Sequence, residues 1–376
     1  MPARRPLALL AHFARVEDPR VDRTKRHALG DILVIALSAV LSGADSWVEV
    51  AAFGRAKRDW FRTFLDLPHG IPSHDTFGRV FARLRPAALQ EALAGWLRRL
   101  ADRLGVRQVA VDGKTLRGAY TTATKRAPWH LVQAWATDHG LVLGQVAAAG
   151  ATGEQTLLPQ LLDLLDVGGA VVTIDALGCQ PDLARQIRAA GGDYVLAVKG
   201  NQPTLEAALR DLFVPALRQN FAGRAHDRHV SVAEGHGRVE LRIVDVLPDP
   251  PGVPPEWPDV AAAALAYRET HVGAKVTQQV RLFLGSLRGT AADYARVIRN
   301  HWGIENGLHW VLDVQFGEDR SRVRTGHGPA NFAWLRRLAL MLLKREPSPG
   351  SIRTKRLRAG WNDNYLLQLL RLGPGK

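Results

Sequence analysis

The first hundred residues carry a hydrophobic pattern that is typical of helices. Apolar side chains such as Ile32 and Ile35 recur at helical spacing, and the same periodicity continues in three further segments. Ser73 precedes the third segment and suits the position that caps a helix, and Arg79 lies within that helix. The pattern therefore predicts an all-helical domain over residues 28–104.

Residues 105–213 change to a pattern of strands alternating with helices. Three predicted strands come first, the second and third joined by the hairpin signal Asp138-His139-Gly140. Two helix–strand units and a last helix follow, and the first of these helices is predicted to begin at Gln155. A three-strand meander followed by two such units is the order of the RNase H-like fold. We therefore predict an α/β core with a mixed five-stranded sheet.

The segments around this core differ from it in composition. Residues 214–290 contain three strand-like runs and the proline-rich stretch 248–258, which predicts a β-rich insertion. Residues 291–345 return to a helical pattern and are expected to complete the core. A basic arm is predicted over residues 1–27 and a basic C-terminal tail over residues 346–376.

The charge of the chain favours a polyanionic partner. Lys and Arg number 50 against 36 Asp and Glu, which gives a formal net charge of +14. An excess of this size favours nucleic acid, and the basic third helix with Arg79 could enter a DNA groove. Two alternatives stay open: an arginine-rich proteome would give the same charge, and the helical domain could simply present a solvated basic face.

Several classes of protein are disfavoured by the sequence. The most apolar stretch, Ile32–Ala44, is 13 residues long, whereas a membrane-spanning helix needs about 20. The N-terminus lacks the features of a secretory signal, so we expect a cytoplasmic, prokaryotic protein associated with the nucleoid. Cys179 is the one cysteine, which excludes a disulfide framework and multi-cysteine metal sites.

Two aspartates follow apolar strands of the predicted core. Asp112 ends the first strand and Asp175 ends the fourth. Adjacent strand ends would place these carboxylates side by side at one edge of the sheet, where α/β folds bind ligands. Because like charges repel there, a divalent cation would stabilise the pair. The alternative is a turn, since Asp112 precedes Gly113.

A third carboxylate is expected from a helix that crosses the same edge. Helical spacing places Glu305 on one face with His301 and His309. The alternative is a structural helix with core tryptophans and satisfied histidines. Spacing alone leaves three rival acids open: Asp313, Glu318 and Asp319.

Asp112, Asp175 and Glu305 together supply hard oxygen ligands. Such ligands suit Mg²⁺ or Mn²⁺ rather than zinc. Two such ions about 4 Å apart can activate water or a 3′-hydroxyl and stabilise the oxygen that leaves a phosphodiester. With the basic charge, the three acids therefore predict metal-dependent phosphoryl transfer on nucleic acid.

Basic, polar and aromatic residues surround the three acids in the sequence. We interpret them as DNA contacts, although for about half of them a solvated surface is the plainer explanation. Besides Arg79, they are Lys114, Arg117, Lys199, Asn201, Arg299, His301, Trp302, Asn306, His309, Arg320 and Arg322.

Seven short motifs between His27 and Asn306 resemble one family, and the resemblance covers nearly the whole chain, from about residue 8 to residue 370. They are His27-Ala28-Leu29-Gly30-Asp31-Ile32, Gly43-Ala44-Asp45-Ser46-Trp47, Ile71-Pro72-Ser73-His74-Asp75-Thr76-Phe77, Val111-Asp112-Gly113-Lys114-Thr115-Leu116-Arg117-Gly118, Asp175-Ala176-Leu177-Gly178-Cys179-Gln180, Lys199-Gly200-Asn201-Gln202 and His301-Trp302-Gly303-Ile304-Glu305-Asn306. Together they are similar to the DDE insertion-sequence transposases, in the branch that includes the H-repeat-associated proteins of Rhs elements.

The resemblance implies a transposase-associated helical domain, an RNase H-like core and the catalytic acids Asp112, Asp175 and Glu305. It also implies DNA as partner, at both transposon ends and target, and a homodimer when DNA is bound. The wider superfamily carries Tyr, Arg and Lys around the third acid. This sequence has Ile298, His301 and Leu312 at those positions, so the DNA contacts of that signature do not carry over.

Two other functions remain open at this point. One is an RNase H-like nuclease that cuts DNA without strand transfer, and the other is an inactive copy that only binds DNA or represses. The large insertion and the helical domain argue against the first, and the presence of all three acids argues against the second.

Overall fold

The structure is a computed structural model that describes residues 8–119, 128–150, 153–235 and 237–372. The first seven residues of the predicted basic arm lie outside the described residues. The N-terminal helices are α1 (Ala8–Phe13), α2 (Leu29–Leu41), α3 (Trp47–Ala56), α4 (Arg58–Phe61), α5 (His74–Arg83) and α6 (Pro86–Leu104). Ser73 caps α5 as predicted, because its hydroxyl accepts a hydrogen bond from the Thr76 amide at 3.3 Å.

All strands of the described chain belong to one sheet in the order β3-β2-β1-β4-β5-β9-β8-β7-β6. The first five strands match the predicted meander and units: β1 pairs antiparallel with β2 and parallel with β4, and β4 pairs parallel with β5. The strands are β1 (Gln108–Leu116), β2 (Trp129–Ala136), β3 (Leu141–Ala149), β4 (Val171–Ile174), β5 (Asp193–Val198), β6 (Asp227–Gly235), β7 (Arg238–Pro248), β8 (Ala262–Val272) and β9 (Lys275–Gly285).

The remaining helices cover the two faces of this sheet. They are α7 (Glu154–Asp163), α8 (Pro181–Ala189), α9 (Pro203–Arg218), α10 (Ala291–His301), α11 (Trp310–Phe316), α12 (Gly328–Arg345), α13 (Ile352–Trp361) and α14 (Asp363–Leu370). Helix α7 contacts β2, and helix α8 contacts β5. Helix α10 contacts β1, β4 and β5, and it lies on the same face of the sheet as α12. No helix in the described ranges is both long and apolar enough to cross a bilayer.

The β-rich segment extends the core sheet rather than forming a separate layer. Strand β9 pairs antiparallel with β5 through only four residues, from Val195 to Val198, and then runs on past the end of β5. The first strand of this extension, β6, was missed in the sequence because its side chains are mostly polar and exposed. The expectation of three strands was therefore wrong, and the segment contributes four.

The C-terminal segment is not the simple basic tail expected from its charges. Two of its cations are buried in hydrogen bonds to backbone carbonyls, because Lys355 Nζ donates to the carbonyl of Leu343 at 3.1 Å and Arg356 Nη2 donates to that of Val40 at 3.0 Å. These bonds tie α13 to α12 and α2. The last four residues of the predicted tail lie outside the described ranges.

Helix α12 joins the helical segment to the sheet. It is buried along nearly its whole length and contacts α2, α5 and α6 as well as β2 and β3. One apolar cluster therefore extends from Ile35 in α2 through Leu340 in α12 to Val132 in β2. Because this core is continuous, the helical segment holds a fixed position relative to the sheet edge described next.

Candidate active site

The two predicted aspartates lie at equivalent positions on neighbouring strands. The last paired residues of β1 and β4 are Val111 and Ile174, so Asp112 and Asp175 each follow the final pair. The expectation that Asp112 ends its strand was wrong, since β1 continues to Leu116 in its pairing with β2. Only the pairing with β4 stops there, which leaves both carboxylates at the open edge of the sheet.

The glycine that follows Asp112 lies directly beside a fourth carboxylate. A Cβ at Gly113 would lie 2.2 Å from the carboxylate of Glu154, so the Glu154 side chain occupies the space that a larger residue would need. Glu154 is the first residue of α7 and was not among the predicted acids. The predicted helix began one residue later, and a single acid at a helix start is too common to signal a site.

The third predicted acid comes from a π-helical segment, Glu305–His309, between α10 and α11. The expected regular helix is interrupted there, and a π-turn rotates the residues that follow it. Glu305 is exposed and lines a cavity of about 810 Å³ together with Asp112 and Asp175. The sheet edge and the π-helical segment thus bring all three predicted acids to one cavity.

Burial and neighbouring carboxylates raise the pKa values of two acids at this edge of the sheet, Asp112 and Glu154. Burial, then the charge of Glu154, and further Asp175 and Glu305 raise the pKa of Asp112 to about 7. Burial and the charge of Asp175 likewise raise the pKa of Glu154 to about 7. We call Asp112, Glu154, Asp175 and Glu305 the open acid cluster. Among the described residues, no Lys or Arg lies within 4 Å of any of its carboxylates.

The rival acids form a second group, which cations neutralise. Lys114 Nζ pairs with Asp313 and lies 3.4 Å from Glu318 and 3.7 Å from Asp319. Glu318 is fully buried, and Arg337 Nη1 donates to its Oε1 at 2.6 Å. Burial alone would raise the pKa of Glu318, but Arg337 and Lys114 outweigh it and lower that pKa to about 2. We call Asp313, Glu318 and Asp319 the paired acid cluster.

Both predicted histidines belong to the site itself. His301 lines the cavity of the acids, its Nδ1 lies 2.9 Å from the Thr173 hydroxyl, and burial lowers the pKa of His301 to about 4. His309 Nδ1 lies 3.4 Å from Asp112 Oδ2, and burial, with the charges of Arg337 and Lys114, lowers the pKa of His309 to about 3. Both imidazoles are therefore neutral at pH 7, and their contacts with DNA stay predictions.

Two other predicted DNA contacts also have structural partners. Lys114 is only 9 % exposed and is held by the paired acid cluster, so it does not reach the surface. Asn201 Nδ2 donates to the carbonyl of Ala176 at 2.6 Å and so fixes the turn that follows Asp175. The remaining predicted contacts are exposed or partly exposed side chains: Arg79, Arg117, Lys199, Arg299, Trp302, Asn306, Arg320 and Arg322.

The open acid cluster supplies oxygen donors without a ready-made cage. Glu154 Oε1 is buried and has no hydrogen-bond partner among the described residues. In the same parts of the chain, no three His, Cys, Asp or Glu side chains converge closely enough to hold a metal by themselves. The carboxylates of Asp112, Asp175 and Glu305 line one cavity, and carboxylates in such a position suit a hard divalent cation that keeps part of its water shell.

Comparison with known proteins agrees with this reading of the chain. Residues 10–97 match the family described as DDE_Tnp_1-associated, and residues 105–342 match the family described as Transposase DDE domain.

Two proteins of Escherichia coli K12 are similar over 370 residues, which is 96 % of this chain and 97 % of each of theirs. YbfL is 35 % identical, and "H repeat-associated putative transposase YhhI" is 34 % identical. A cryo-EM structure of a piggyBac transposase synaptic complex with hairpin DNA aligns with 96 % of this chain and with 77 % of its own chain. Its TM-score is 0.40 at 10 % identity, which is too low to support a conclusion. The family matches and the relatives show that this chain belongs to the DDE transposases.

Proposed function

We propose that this chain is an active transposase that cleaves DNA at the ends of a mobile element and joins those ends to target DNA. The observation that carries the proposal is the open acid cluster. Carboxylates gathered at one edge of a sheet, with no Lys or Arg within 4 Å among the described residues, are costly unless a cation binds. In a DDE transposase, the cation expected there is a divalent metal ion.

The donor set fits Mg²⁺, or Mn²⁺ in its place. Asp112, Asp175 and Glu305 would hold the metal, and the unpartnered Oε1 of Glu154 is available as a further acceptor. Mg²⁺ sites commonly combine one or two carboxylates with waters and substrate phosphates, which agrees with acids that do not form a closed cage. When bound, such ions activate the attacking oxygen and stabilise the leaving oxygen of a phosphodiester.

The chain's own residues place the reacting DNA against these acids. Lys199 is exposed at the wall of the cavity, after β5, and Arg299 is exposed near its other side, so both are available for phosphates. Water attacks the phosphorus atom, and the bond to the 3′ oxygen breaks to leave a 3′-hydroxyl. That hydroxyl then attacks a target phosphodiester, so one bond forms for each bond broken and no nucleotide cofactor is needed.

We also propose a domain architecture and an oligomeric state for this chain. The order β3-β2-β1-β4-β5 supports an RNase H-like core, with residues 28–104 as a domain that helps to bind DNA. Because two element ends must be joined together, we propose a homodimer on DNA. A protein that acts on the chromosome belongs in the cytoplasm, at the nucleoid.

A cleavage and joining assay tests this function. Labelled DNA that carries the ends of the element from which the gene comes is incubated with Mg²⁺ or Mn²⁺ and target plasmid. Wild type should nick and join, whereas Asp112→Asn, Asp175→Asn and Glu305→Gln should each lose at least about 100-fold in rate while still binding DNA.

Asp319→Asn is the matched control, because it removes a carboxylate of the paired acid cluster. Its joining rate should stay close to that of wild type. Nicking without joined products would favour the nuclease instead, and DNA binding without any metal-dependent chemistry would favour an inactive copy.

A further inference from the structure

One face of the β6–β9 extension carries a row of arginines beyond the region that α10 covers. The register places Arg242 of β7 directly opposite Arg268 of β8, and Arg268 opposite Gln279 of β9. Arg281 lies two residues from Gln279 on the same face, next to Arg268 on the diagonal. Arg238 lies on this face too, four residues before Arg242.

Helix α10 divides this face into a buried half and an open half. Val244, Ala264 and Phe283 pack against the helix, together with Tyr294 and Val297 from it. The arginines lie on the strand portions beyond these residues. They line a cleft of about 870 Å³ that we call the arginine cleft: Arg238, Arg242, Arg268, Arg281 and, from α10, Arg299.

The arginine cleft has far more positive than negative charge. Glu240 is buried there and pairs with Arg242 and, at 3.7 Å, with Arg238. Arg268, Arg281 and Arg299 have no carboxylate within 4 Å among the described residues. Like charges directly opposite each other on a sheet are destabilising, so this arrangement needs an anion to offset it.

Two guanidinium nitrogen atoms in the cleft also lack a hydrogen-bond acceptor among the described residues. Arg242 Nη1 and Arg281 Nε are buried and have no hydrogen-bond partner in the described part of the chain. Burial, and then the charges of Arg299, Arg268 and Arg238, lower the pKa of Arg242. Phosphate oxygens satisfy such donors well, since charge-assisted bonds to guanidinium are among the strongest that proteins make.

The position of the cleft relates it to the open acid cluster. Glu305 and Trp302 line the cleft as well as the cavity of the acids, and the Arg281 guanidinium stacks over the Trp302 ring at 4.1 Å. The cross-strand row of paired residues that contains Arg281 lies six residues along the strands from the row that contains Arg238. This separation is about 20 Å. That is the length of about six base pairs, so the cleft fits an extended backbone rather than a single anion.

We propose that the arginine cleft binds the phosphate backbone of a DNA duplex where it leaves the acids, with Arg242, Arg268 and Arg281 as contacts. The inference rests on the proposed function and adds to it a surface on the β-rich extension, a region in which the sequence indicated no DNA contact. It also explains why Arg268 and Arg281 lack carboxylate partners in a chain that has 36 acids.

Salt dependence of binding to a mixed-sequence 30-base-pair duplex tests the proposal. The affinity is measured by fluorescence anisotropy in EDTA between 50 and 200 mM salt, for wild type and for Arg268→Gln/Arg281→Gln. Each lost phosphate contact lowers the slope of log affinity against log salt by about 0.9. The slope for the double variant should therefore be shallower by about 2. Between 50 and 200 mM salt, the affinity of wild type should then fall about tenfold more than the affinity of the variant.

Two matched variants control for charge and for folding. Arg185→Gln/Arg218→Gln removes the same charge from α8 and α9, away from both cavities, and should keep the wild-type slope. Arg268→Lys/Arg281→Lys should restore most of the slope, and thermal unfolding shows that each variant is folded.

The outcomes separate this inference from the function on which it rests. If wild type binds the duplex and the Arg268→Gln/Arg281→Gln slope equals that of wild type, the arginine cleft is not a DNA surface, although the transposase proposal stands. An equal loss in the α8/α9 control also overturns it, since net charge alone would then explain the effect. If wild type binds no duplex at all, both proposals fail together.

Discussion

The two acid clusters contrast two uses of the same residue types within one region of the molecule. In the paired acid cluster, Lys114 and Arg337 neutralise the carboxylates, and the pKa of Glu318 falls to about 2. In the open acid cluster, no Lys or Arg of the described residues lies within 4 Å of a carboxylate, and the pKa of Asp112 rises to about 7. From this comparison we infer that acids with a cationic partner stabilise the fold, whereas acids without one are available for a ligand.

The largest effect should come from breaking the paired acid cluster. Arg337→Met leaves the Glu318 carboxylate buried with Lys114 at 3.4 Å and with the more distant charge of Arg336. We expect the free energy of unfolding to fall by about 3–5 kcal/mol, as measured by denaturant titration. A loss below about 1 kcal/mol would show that the pair contributes little. Arg324→Met, which changes an exposed arginine, is the control.

Glu154 offers the next test, because the sequence did not identify it. Glu154→Gln keeps the shape beside Gly113 but removes one charge from the open acid cluster. We expect the rate of DNA cleavage to fall by about 10–100-fold, through weaker metal binding. Glu206→Gln is the matched control, since Glu206 lines the cavity of Asp112, Asp175 and Glu305 but pairs with Arg210. Equal rates for both variants would remove Glu154 from the site.

The pH dependence of stability should have opposite signs in the two clusters. The pKa of Asp112 is raised in the folded state, so the metal-free folded protein binds more protons than the unfolded chain between about pH 4 and pH 7. Its contribution to stability therefore falls as pH rises through that window. The free energy of unfolding of Asp112→Asn, relative to that of wild type, should therefore increase by at least about 1 kcal/mol between pH 4 and pH 7.

Glu318 has a lowered pKa, so its contribution is present above about pH 4 and is lost as pH falls towards 2. The free energy of unfolding of Glu318→Gln should consequently fall furthest below that of wild type near neutral pH, and least below it in acid. Thermal unfolding of both variants across this pH range measures the two trends. Parallel curves for the two variants would contradict the distinction between the clusters.

The smallest effect is expected from the rim of the paired acid cluster. Asp319 is 30 % exposed and lies 3.7 Å from Lys114, so its ion pair is partly screened by solvent. Asp319→Asn should change the free energy of unfolding by less than about 1 kcal/mol. A loss as large as that of Arg337→Met would mean that the three acids act as one buried unit.

Much of this arrangement could be predicted from the sequence, because apolar periodicity sets the strand order. Asp112 and Asp175 follow from that order, since each comes after a run of buried strand residues. Glu154 could not be predicted, because its place in the site depends on how α7 crosses Gly113. Strand β6 was missed since its polar side chains follow no hydrophobic pattern, and its pairing with β7 defines it instead.

The roles of the cations were the hardest to predict. Lys114 lies two residues from Asp112, which suggested a phosphate contact, yet alternation along β1 does not reveal that its side chain ends among Asp313, Glu318 and Asp319. Likewise, Lys355 and Arg356 resemble a solvated basic tail until the carbonyls that receive their hydrogen bonds are known. Charged residues find their partners through tertiary contacts, which local patterns do not encode.

Metal binding should separate the two clusters, because we expect only the open acid cluster to hold a divalent cation. Calorimetric titration of Mn²⁺ into the DNA-free protein at pH 7.5 measures this binding. Wild type and Asp313→Asn/Asp319→Asn should bind Mn²⁺ with similar affinity, whereas Asp112→Asn/Asp175→Asn should not bind it. Binding that survives in Asp112→Asn/Asp175→Asn, or that is lost in Asp313→Asn/Asp319→Asn, would contradict the account.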